Sequence, residues 1–227
     1  MDADVVAQGE GALLSALPVG AEGISGVHST GIYAWWGVRE LPWPAGFPPV
    51  GGASPLYIGI AKHEVLDQRI EKHHLARTRG SALRRSLVAV LSAALGLGPH
   101  VIVSDESVSS KFGLDTHGEQ ILTAWMLRHL RLTWVECLEP RAVESAVLRH
   151  LHPPLNDTDA TGTVYRAPMR DLRKRVARQG ISNGRQRADR QTARSLACDS
   201  VTTQPQDSEN CARCNTEKTV SGSCFCD

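Results

Sequence analysis

Two short stretches, Gly31-Ile-Tyr-Ala-Trp-Trp-Gly-Val38 and Leu56-Tyr-Ile-Gly-Ile60, decide the fold of the apolar part of the chain. Both are rich in β-branched and aromatic residues, so each predicts a β-strand. The intervening residues 41–55 hold five prolines and three glycines and predict a loop. Because side chains alternate along a strand, Tyr33 and Tyr57 share one face if the two strands pair in register. The alternative is that both tyrosines only pack as amphipathic strand residues.

Outside these strands, the apolar spacing and the turn residues predict a mixed α/β (α+β) chain. Apolar periodicity indicates helices at 65–76, 81–95 and 142–151, the last of them after Pro140. A capping-box pattern at Thr116–Glu119 indicates another helix that begins there. We expect further strands at 132–138 and, more weakly, at 101–103, and a basic terminal helix at 166–179 with its apolar residues on one side: Met169, Leu172 and Val176.

The net charge of +1 conceals an uneven distribution along the 227 residues. Residues 166–194 carry 10 basic and 2 acidic groups, whereas the segments on either side are acidic. A local cationic band of this kind is compatible with a phosphate-bearing partner, which whole-chain neutrality would argue against. No apolar run reaches the roughly 18 residues of a membrane helix, and Asp2 and Asp4 replace the basic start of a secretory signal. We therefore expect a cytoplasmic protein without a membrane partner.

Helical projection at 100° per residue places charged side chains within two apolar faces. On the helix at 65–76, Arg69 and His73 fall inside the apolar stripe and His74 falls at its edge. On the helix at 142–151, Glu144 falls at the centre of the apolar face. A buried carboxylate is costly unless it is paired or bound to a cation. The pattern predicts either a structural ion pair of Arg69 with Glu144 or a site where these groups converge on a phosphate and a metal.

These residues together resemble the GIY-YIG nuclease domain family. The resemblance rests on the order of Gly31-Ile32-Tyr33, Tyr57-Ile58-Gly59, Arg69, Glu144 and Asn156. It extends over about 27–179, and three further stretches look like a bacterial branch of the family: 81–87, 122–126 and 166–170.

The resemblance implies a three-stranded antiparallel sheet flanked by helices that cleaves phosphodiester bonds in nucleic acid, with DNA as the expected substrate. It implies that Glu144 holds one divalent metal, Mg²⁺ or Mn²⁺, and that Arg69 binds the scissile phosphate. Tyr33 would activate the attacking group, for which a cation such as Arg69 or the metal would have to lower its pKa. Three residues would assist: Tyr57 in positioning, Asn156 in bracing the metal side, and His73 in proton transfer.

Two features depart from the family pattern. The 23 residues between Tyr33 and Tyr57 are about twice the usual connection, so the loop is an insertion whose Trp43 and Phe47 either contact substrate or cover the sheet. No known DNA-reading module follows the domain. The basic helix is therefore the candidate nucleic-acid contact, with solubility as the alternative role of its charge. The candidate residues are Arg173, Lys174, Arg175 and Arg178.

The sequence also predicts how the chain is divided. We expect an unassigned leader or packing segment at 1–26, the nuclease-like domain at 27–179 and a disordered tail at 180–227. In that tail, Cys211, Cys214, Cys224 and Cys226 match the number of ligands of a structural Zn²⁺ but not a standard spacing, so reduced cysteines are favoured. The leading function is a metal-dependent endonuclease. The alternatives are a catalytically inactive nucleic-acid-binding domain on the same fold and a purely structural protein.

Overall fold

A computed structural model describes residues 3–52, 54–100, 112–157 and 162–182 of the chain. The expected strand at 101–103 and the cysteine-containing tail lie outside these residues. Within them, the helices and strands follow in the order α1 (Ala3–Ser15), a 3₁₀ turn (Ala21–Ile24), β1 (Gly31–Gly37), β2 (Tyr57–Ala61), α2 (Leu66–Gln68) running into a π-helix (Arg69–His74), α3 (Ala82–Leu95), α4 (Thr116–His129), β3 (Leu130–Glu136), α5 (Pro140–Leu151) and α6 (166–182).

The three strands form one antiparallel sheet in the order β2-β1-β3, so the fold is α+β as the sequence predicts. Tyr33 pairs with Gly59 and Trp35 pairs with Tyr57 across β1 and β2. Directly opposed residues lie on the same face of an antiparallel pair, so Tyr33 and Tyr57 share a face. This confirms the alternation predicted from the sequence.

Helices cover both faces of the sheet. Ile32, Ala34 and Ile58 pack in a cluster with α1 and α5. Tyr33 and Trp35 point to the opposite face, where the larger cluster draws on α3, α4 and α6. The central strand is consequently buried on both sides, which fixes the residues at its middle in place.

The N-terminal segment, to which the sequence assigned no element, packs on the sheet. Leu13 of α1 is fully buried with the α5 cluster, and Ile24 of the 3₁₀ turn is fully buried in the other cluster. Between them, Val19 and Leu132 exchange two backbone hydrogen bonds of 3.0 and 2.8 Å. None of the described helices combines the length and the apolar character that a membrane crossing requires.

Helix ends follow local side-chain chemistry, with one departure from the prediction. Ser81 caps α3 by accepting from the backbone N–H of Arg84, and Gly96 ends that helix in the left-handed region. The N-cap of α4 is Asp115 rather than Thr116, because the Asp115 carboxylate accepts from the Gly118 N–H at 2.9 Å. The expected capping-box partner, Glu119, binds elsewhere.

Candidate functional site

The two glycines of the strand motifs make room for the sheet's close contacts. A Cβ at Gly59 would lie 2.5 Å from the Tyr33 hydroxyl oxygen, so the phenol lies directly against the backbone of β2. A Cβ at Gly31 would overlap the Val135 carbonyl oxygen of β3 and approach Leu66. Any side chain at either position would displace Tyr33 or the neighbouring strand.

The helix after β2 is not a regular α-helix, and this corrects the predicted positions of its histidines. The Leu75 N–H donates to the Ile70 carbonyl at 2.9 Å, an i to i+5 bond of the π-helix. A π-helix places residue i+5, rather than residue i+4, next to residue i along the helix axis. His74 is the fifth residue after Arg69, so its side chain lies on the same side of the helix as that of Arg69. His74 is fully buried, whereas the side chain of His73 is 39% exposed, the reverse of the projected order.

His74 forms the middle of a hydrogen-bonded chain beneath the sheet face. Its Nε2 lies 2.5 Å from the Tyr33 hydroxyl and its Nδ1 lies 2.7 Å from the Ser81 hydroxyl. Arg69 Nε donates to the Tyr33 oxygen at 3.3 Å, and Ser81 accepts from the Arg84 backbone N–H. The chain thus runs from Arg69 through Tyr33 and His74 to Ser81.

Burial dominates the protonation of this chain. It raises the pKa of Tyr33 far above its ordinary value, an effect that Tyr57 increases and that Arg69 only partly offsets. Arg69 alone therefore does not bring Tyr33 to a phenolate, which leaves the metal as the other cation that the sequence-based expectation named for this role. Burial, with the positive charge of Arg69 and the nearby His73 and Arg84, lowers the pKa of His74 well below 6.5. Tyr33 is thus a neutral phenol hydrogen-bonded to a neutral imidazole at pH 7.

Glu64 holds the exposed ends of Arg69 and His73 together. Its two carboxylate oxygens lie 3.1 Å from Arg69 Nη1 and 2.9 Å from His73 Nε2. Arg69 thus forms an ion pair with Glu64. The Glu64 and Arg69 side chains are each about a quarter exposed, so solvent screens the pair and an incoming anion can compete with the carboxylate.

A surface cleft of about 320 Å³ brings the charged residues of three elements to one place. Arg69 comes from the π-helix, Glu64 from the loop after β2, and Glu144 from α5. Glu144 is 8% exposed among the buried apolar residues of its helix, as the projection predicts. Seven further residues complete the lining: Tyr57, Gly59, Ile60, Lys62, His63, Ala82 and Arg141.

Asn156 braces the strand that forms one wall of this cleft. Its Oδ1 accepts from the Ile58 N–H at 2.9 Å and its Nδ2 donates to the Ile58 carbonyl at 2.8 Å. The Leu155 N–H also donates to the Leu56 carbonyl at 2.9 Å. Since β2 is an edge strand, these bonds satisfy backbone groups that would otherwise lack a strand partner. They hold Tyr57 and Gly59, on either side of Ile58, in register with Tyr33.

The proline-rich loop covers the fold. The rings of Trp43 and Phe47 stack with centroids 4.8 Å apart, and Phe47 stacks on Tyr165 at 5.9 Å. Both loop aromatics are partly buried against the main cluster, and neither lines the cleft. The covering role is therefore the one that the contacts favour.

The terminal basic helix divides its cations between two environments. Met169, Leu172 and Val176 are buried as predicted, but so is Arg173, which is 3% exposed. Arg173 Nη1 lies 2.9 Å from Asp157 Oδ2, and its Nε and Nη2 donate to Ser86 and to the Ala82 carbonyl. Its guanidinium is consequently occupied inside the protein and is not available to a phosphate backbone. The other three candidates, Lys174, Arg175 and Arg178, are exposed.

Sequence reasoning missed Glu64, His74 and Ser81 as members of the site. A 100° projection cannot represent a π-turn, so His74 had no signal that distinguished it from its neighbour. For Ser81 the sequence predicts only that it belongs to a helix. Glu64 had a usable signal, since it lies five residues before Arg69 and four residues after Ile60, the end of the second strand motif.

The sheet thus buries two motif tyrosines beside an arginine and a helix-borne glutamate. The family description "GIY-YIG catalytic domain" matches residues 31–194, which is well over half of the 227-residue chain. The chain belongs to this family. A search of curated proteins and a search of solved structures gave no match to the chain.

Proposed function

We propose that this protein is a metal-dependent endonuclease that hydrolyses phosphodiester bonds in nucleic acid, with DNA as its substrate. The observation that carries the proposal is the single cleft shared by Arg69, Tyr57 and Glu144, with the Tyr33 hydroxyl against its Gly59 wall. A guanidinium, phenols and a carboxylate at one small opening suit a substrate that is anionic and must be attacked by water.

Phosphate binding is assigned to Arg69. Its Nη1 contacts Glu64 and its Nε contacts Tyr33, so one guanidinium reaches both the cleft and the buried hydrogen-bonded chain. An incoming phosphate would take the place of the Glu64 carboxylate on Arg69. A guanidinium at this position favours the transition state, in which negative charge increases on the phosphoryl oxygens.

The residues present fit a hydrated divalent cation held by Glu144. Among the described residues no cluster of three histidine, cysteine or acidic side chains could enclose a metal. Mg²⁺ does not need such a cluster, because it keeps several waters and binds through one or two carboxylates. Glu64 lines the same cleft and supplies a second carboxylate within it. When bound, the cation polarises the phosphoryl oxygens and stabilises the leaving oxygen.

Activation of the attacking water is assigned to Tyr33, whose hydroxyl lies against the Gly59 wall of the cleft and accepts from Arg69 Nε at 3.3 Å. His74 is a neutral imidazole of lowered pKa, so its part is to orient that hydroxyl through Nε2, 2.5 Å away. The Ser81 hydroxyl, 2.7 Å from Nδ1, holds the imidazole in turn.

Positioning is assigned to the remaining site residues. Tyr57 lines the cleft beside Gly59, and Asn156 fixes the strand that carries both. His73 holds the second oxygen of Glu64 and so sets where that carboxylate lies. Lys174, Arg175 and Arg178, exposed on α6, supply sequence-independent attraction to phosphates.

Incubation with supercoiled DNA, branched DNA and RNA, with Mg²⁺ or Mn²⁺ and with excess chelator, tests the proposal. We expect metal-dependent cleavage of DNA, and losses of about 100-fold or more for Tyr33→Phe and Arg69→Ala. Tyr165→Phe is the matched control, because this tyrosine belongs to the aromatic stack away from the cleft. Salt-sensitive DNA binding without cleavage under any of these conditions would replace the proposal with the inactive nucleic-acid-binding domain.

A further inference from the structure

A second concavity, which we call the basic pocket, is lined by Lys72, His73, Arg77, Arg79, Gly80 and Arg85 and measures about 670 Å³. It lies where the chain passes from the π-helix to the start of α3. Four of its six residues are lysine or arginine, one is a histidine, and no carboxylate lines it. Like charges at such density repel one another, so an anion bound among them would be strongly favoured.

Nothing in the described part of the chain neutralises these cations by ion pairing. The ion pairs formed among the described residues include none of Lys72, Arg77, Arg79 and Arg85. Lys72, Arg77 and Arg79 are exposed, and their long side chains can adjust to a ligand. The basic pocket is thus a cationic surface whose charges are open to an outside partner.

Arg85 is the fixed member of the basic pocket. It is partly buried, and its Nη1 donates to the Arg79 carbonyl at 2.8 Å. Its Nε is shielded from solvent and has no hydrogen-bond partner. Burial and the neighbouring Arg173 lower its pKa. A buried donor without a partner is rare in folded proteins, and a water or an anion in the basic pocket would supply the missing acceptor.

The basic pocket adjoins the cleft. His73 lines the pocket, and its Nε2 lies 2.9 Å from Glu64, which lines the cleft. Gly80 of the pocket and Ala82 of the cleft are two residues apart in the chain. A polyanion with one phosphate at Arg69 would therefore meet the pocket cations with its neighbouring phosphates.

We propose that the basic pocket binds the phosphate backbone of a nucleic-acid strand next to the bond in the cleft, without reading its sequence. This inference rests on the proposed function, because it takes the same substrate and adds where the strand continues. A polyanion suits the observations better than a free phosphate does, since the volume and the spread of cations over 72–85 exceed what one phosphate engages. Cationic contacts to phosphates set register and affinity but carry no sequence information.

The test is the salt dependence of binding to a short fluorescently labelled DNA duplex, measured by anisotropy in excess chelator so that no cleavage occurs. The test protein is Arg77→Gln/Arg79→Gln, which alters exposed side chains and leaves the backbone carbonyl of residue 79 in place. The charge-matched control is Arg128→Gln/Arg149→Gln, two exposed arginines that line neither concavity. Each lost phosphate contact lowers the slope of log K against log salt by about 0.9, so we expect a decrease of about 1.8 for the test protein.

Three results would overturn the inference: an unchanged slope in the test protein, an equal decrease in the control, or no binding by the wild type. A separate cleavage assay of the wild type with metal distinguishes failure of this inference from failure of the proposed function. Cleavage by the wild type together with an unchanged slope in the test protein refutes phosphate binding by the basic pocket and leaves the proposed function standing. Binding with the expected change in slope but no cleavage supports the pocket and refutes the nuclease.

Discussion

Acidification from about pH 7.5 to about pH 5 should destabilise the wild-type protein through His74. This imidazole is fully buried, and the groups that face it are the phenols of Tyr33 and Tyr57, the Ser81 hydroxyl and the cationic side chain of Arg69. None of them stabilises an imidazolium. The folded state therefore keeps His74 neutral at a pH where the unfolded chain protonates it.

The sign and the size follow from proton linkage. The pKa of His74 is lowered in the folded state, so below about pH 6.5 the unfolded state binds more protons and the free energy of unfolding decreases as the pH falls. One proton contributes at most about 1.4 kcal/mol per pH unit. Integrated from about pH 7.5 to about pH 5 with an unfolded pKa of about 6.5, the loss reaches about 2 kcal/mol.

The assay is urea denaturation followed by tryptophan fluorescence across this pH range, for the wild type and His74→Gln. The difference in unfolding free energy between the two proteins should shrink by about 2 kcal/mol on acidification, since the variant lacks the titrating group. Nuclear magnetic resonance of the wild-type imidazole gives an independent reading that needs no variant. A pH-independent difference, or an imidazole that titrates near its ordinary pKa, would refute the reasoning.

Three further changes test other parts of the structure. Asn156→Ala removes both side-chain partners of the Ile58 backbone and should cost about 2 to 4 kcal/mol in urea denaturation, and a cost under about 1 kcal/mol would contradict the bracing role. Glu64→Gln should change stability by less than about 1 kcal/mol, because its ion pairs are partly exposed. It should also tighten DNA binding more than the exposed control Glu71→Gln does, and equal effects would show that Glu64 does not compete with phosphate. Arg173→Met should cost about 3 kcal/mol or more while leaving the salt slope of DNA binding unchanged, and a lower slope would place Arg173 on the nucleic acid.

Alternation and composition were sufficient to predict the sheet. Period 2 in Gly31–Gly37 and Tyr57–Ala61 predicted which tyrosines share a face, and the register of the strands confirms it. The burial of Glu144 could be predicted equally well, because α5 is a regular helix and the 100° projection describes it correctly. Where the backbone is regular, periodicity alone located the side chains.

Predictions from the sequence were wrong where the backbone is irregular or where a charged side chain is buried with its partners. The π-helix reverses the burial of His73 and His74, and no periodic template represents it. Asp115, not Thr116, begins α4, because Glu119 is held by Arg84 and Thr78 instead of folding back on the helix. These outcomes depend on side chains far apart in the sequence.

Arg173 is a different case, since its position could have been predicted. It lies four residues after Met169 and three before Val176, which places it on the buried side of α6. The spacing, and not the total charge of the segment, predicts where this side chain lies. Asp157, which pairs with its guanidinium, is brought there only by the tertiary fold.

The most direct test of the proposed nuclease site compares DNA cleavage by the wild type and by Glu144→Gln in Mg²⁺, with the DNA affinity of both proteins measured in the same buffer. Glu22→Gln, an exposed glutamate outside the cleft, is the matched control. The account predicts that Glu144→Gln binds DNA as the wild type does but cleaves it about 100-fold or more slowly, with chelator abolishing cleavage by the wild type. Equal cleavage rates in the two proteins, or cleavage by the wild type that persists in excess chelator, would contradict it.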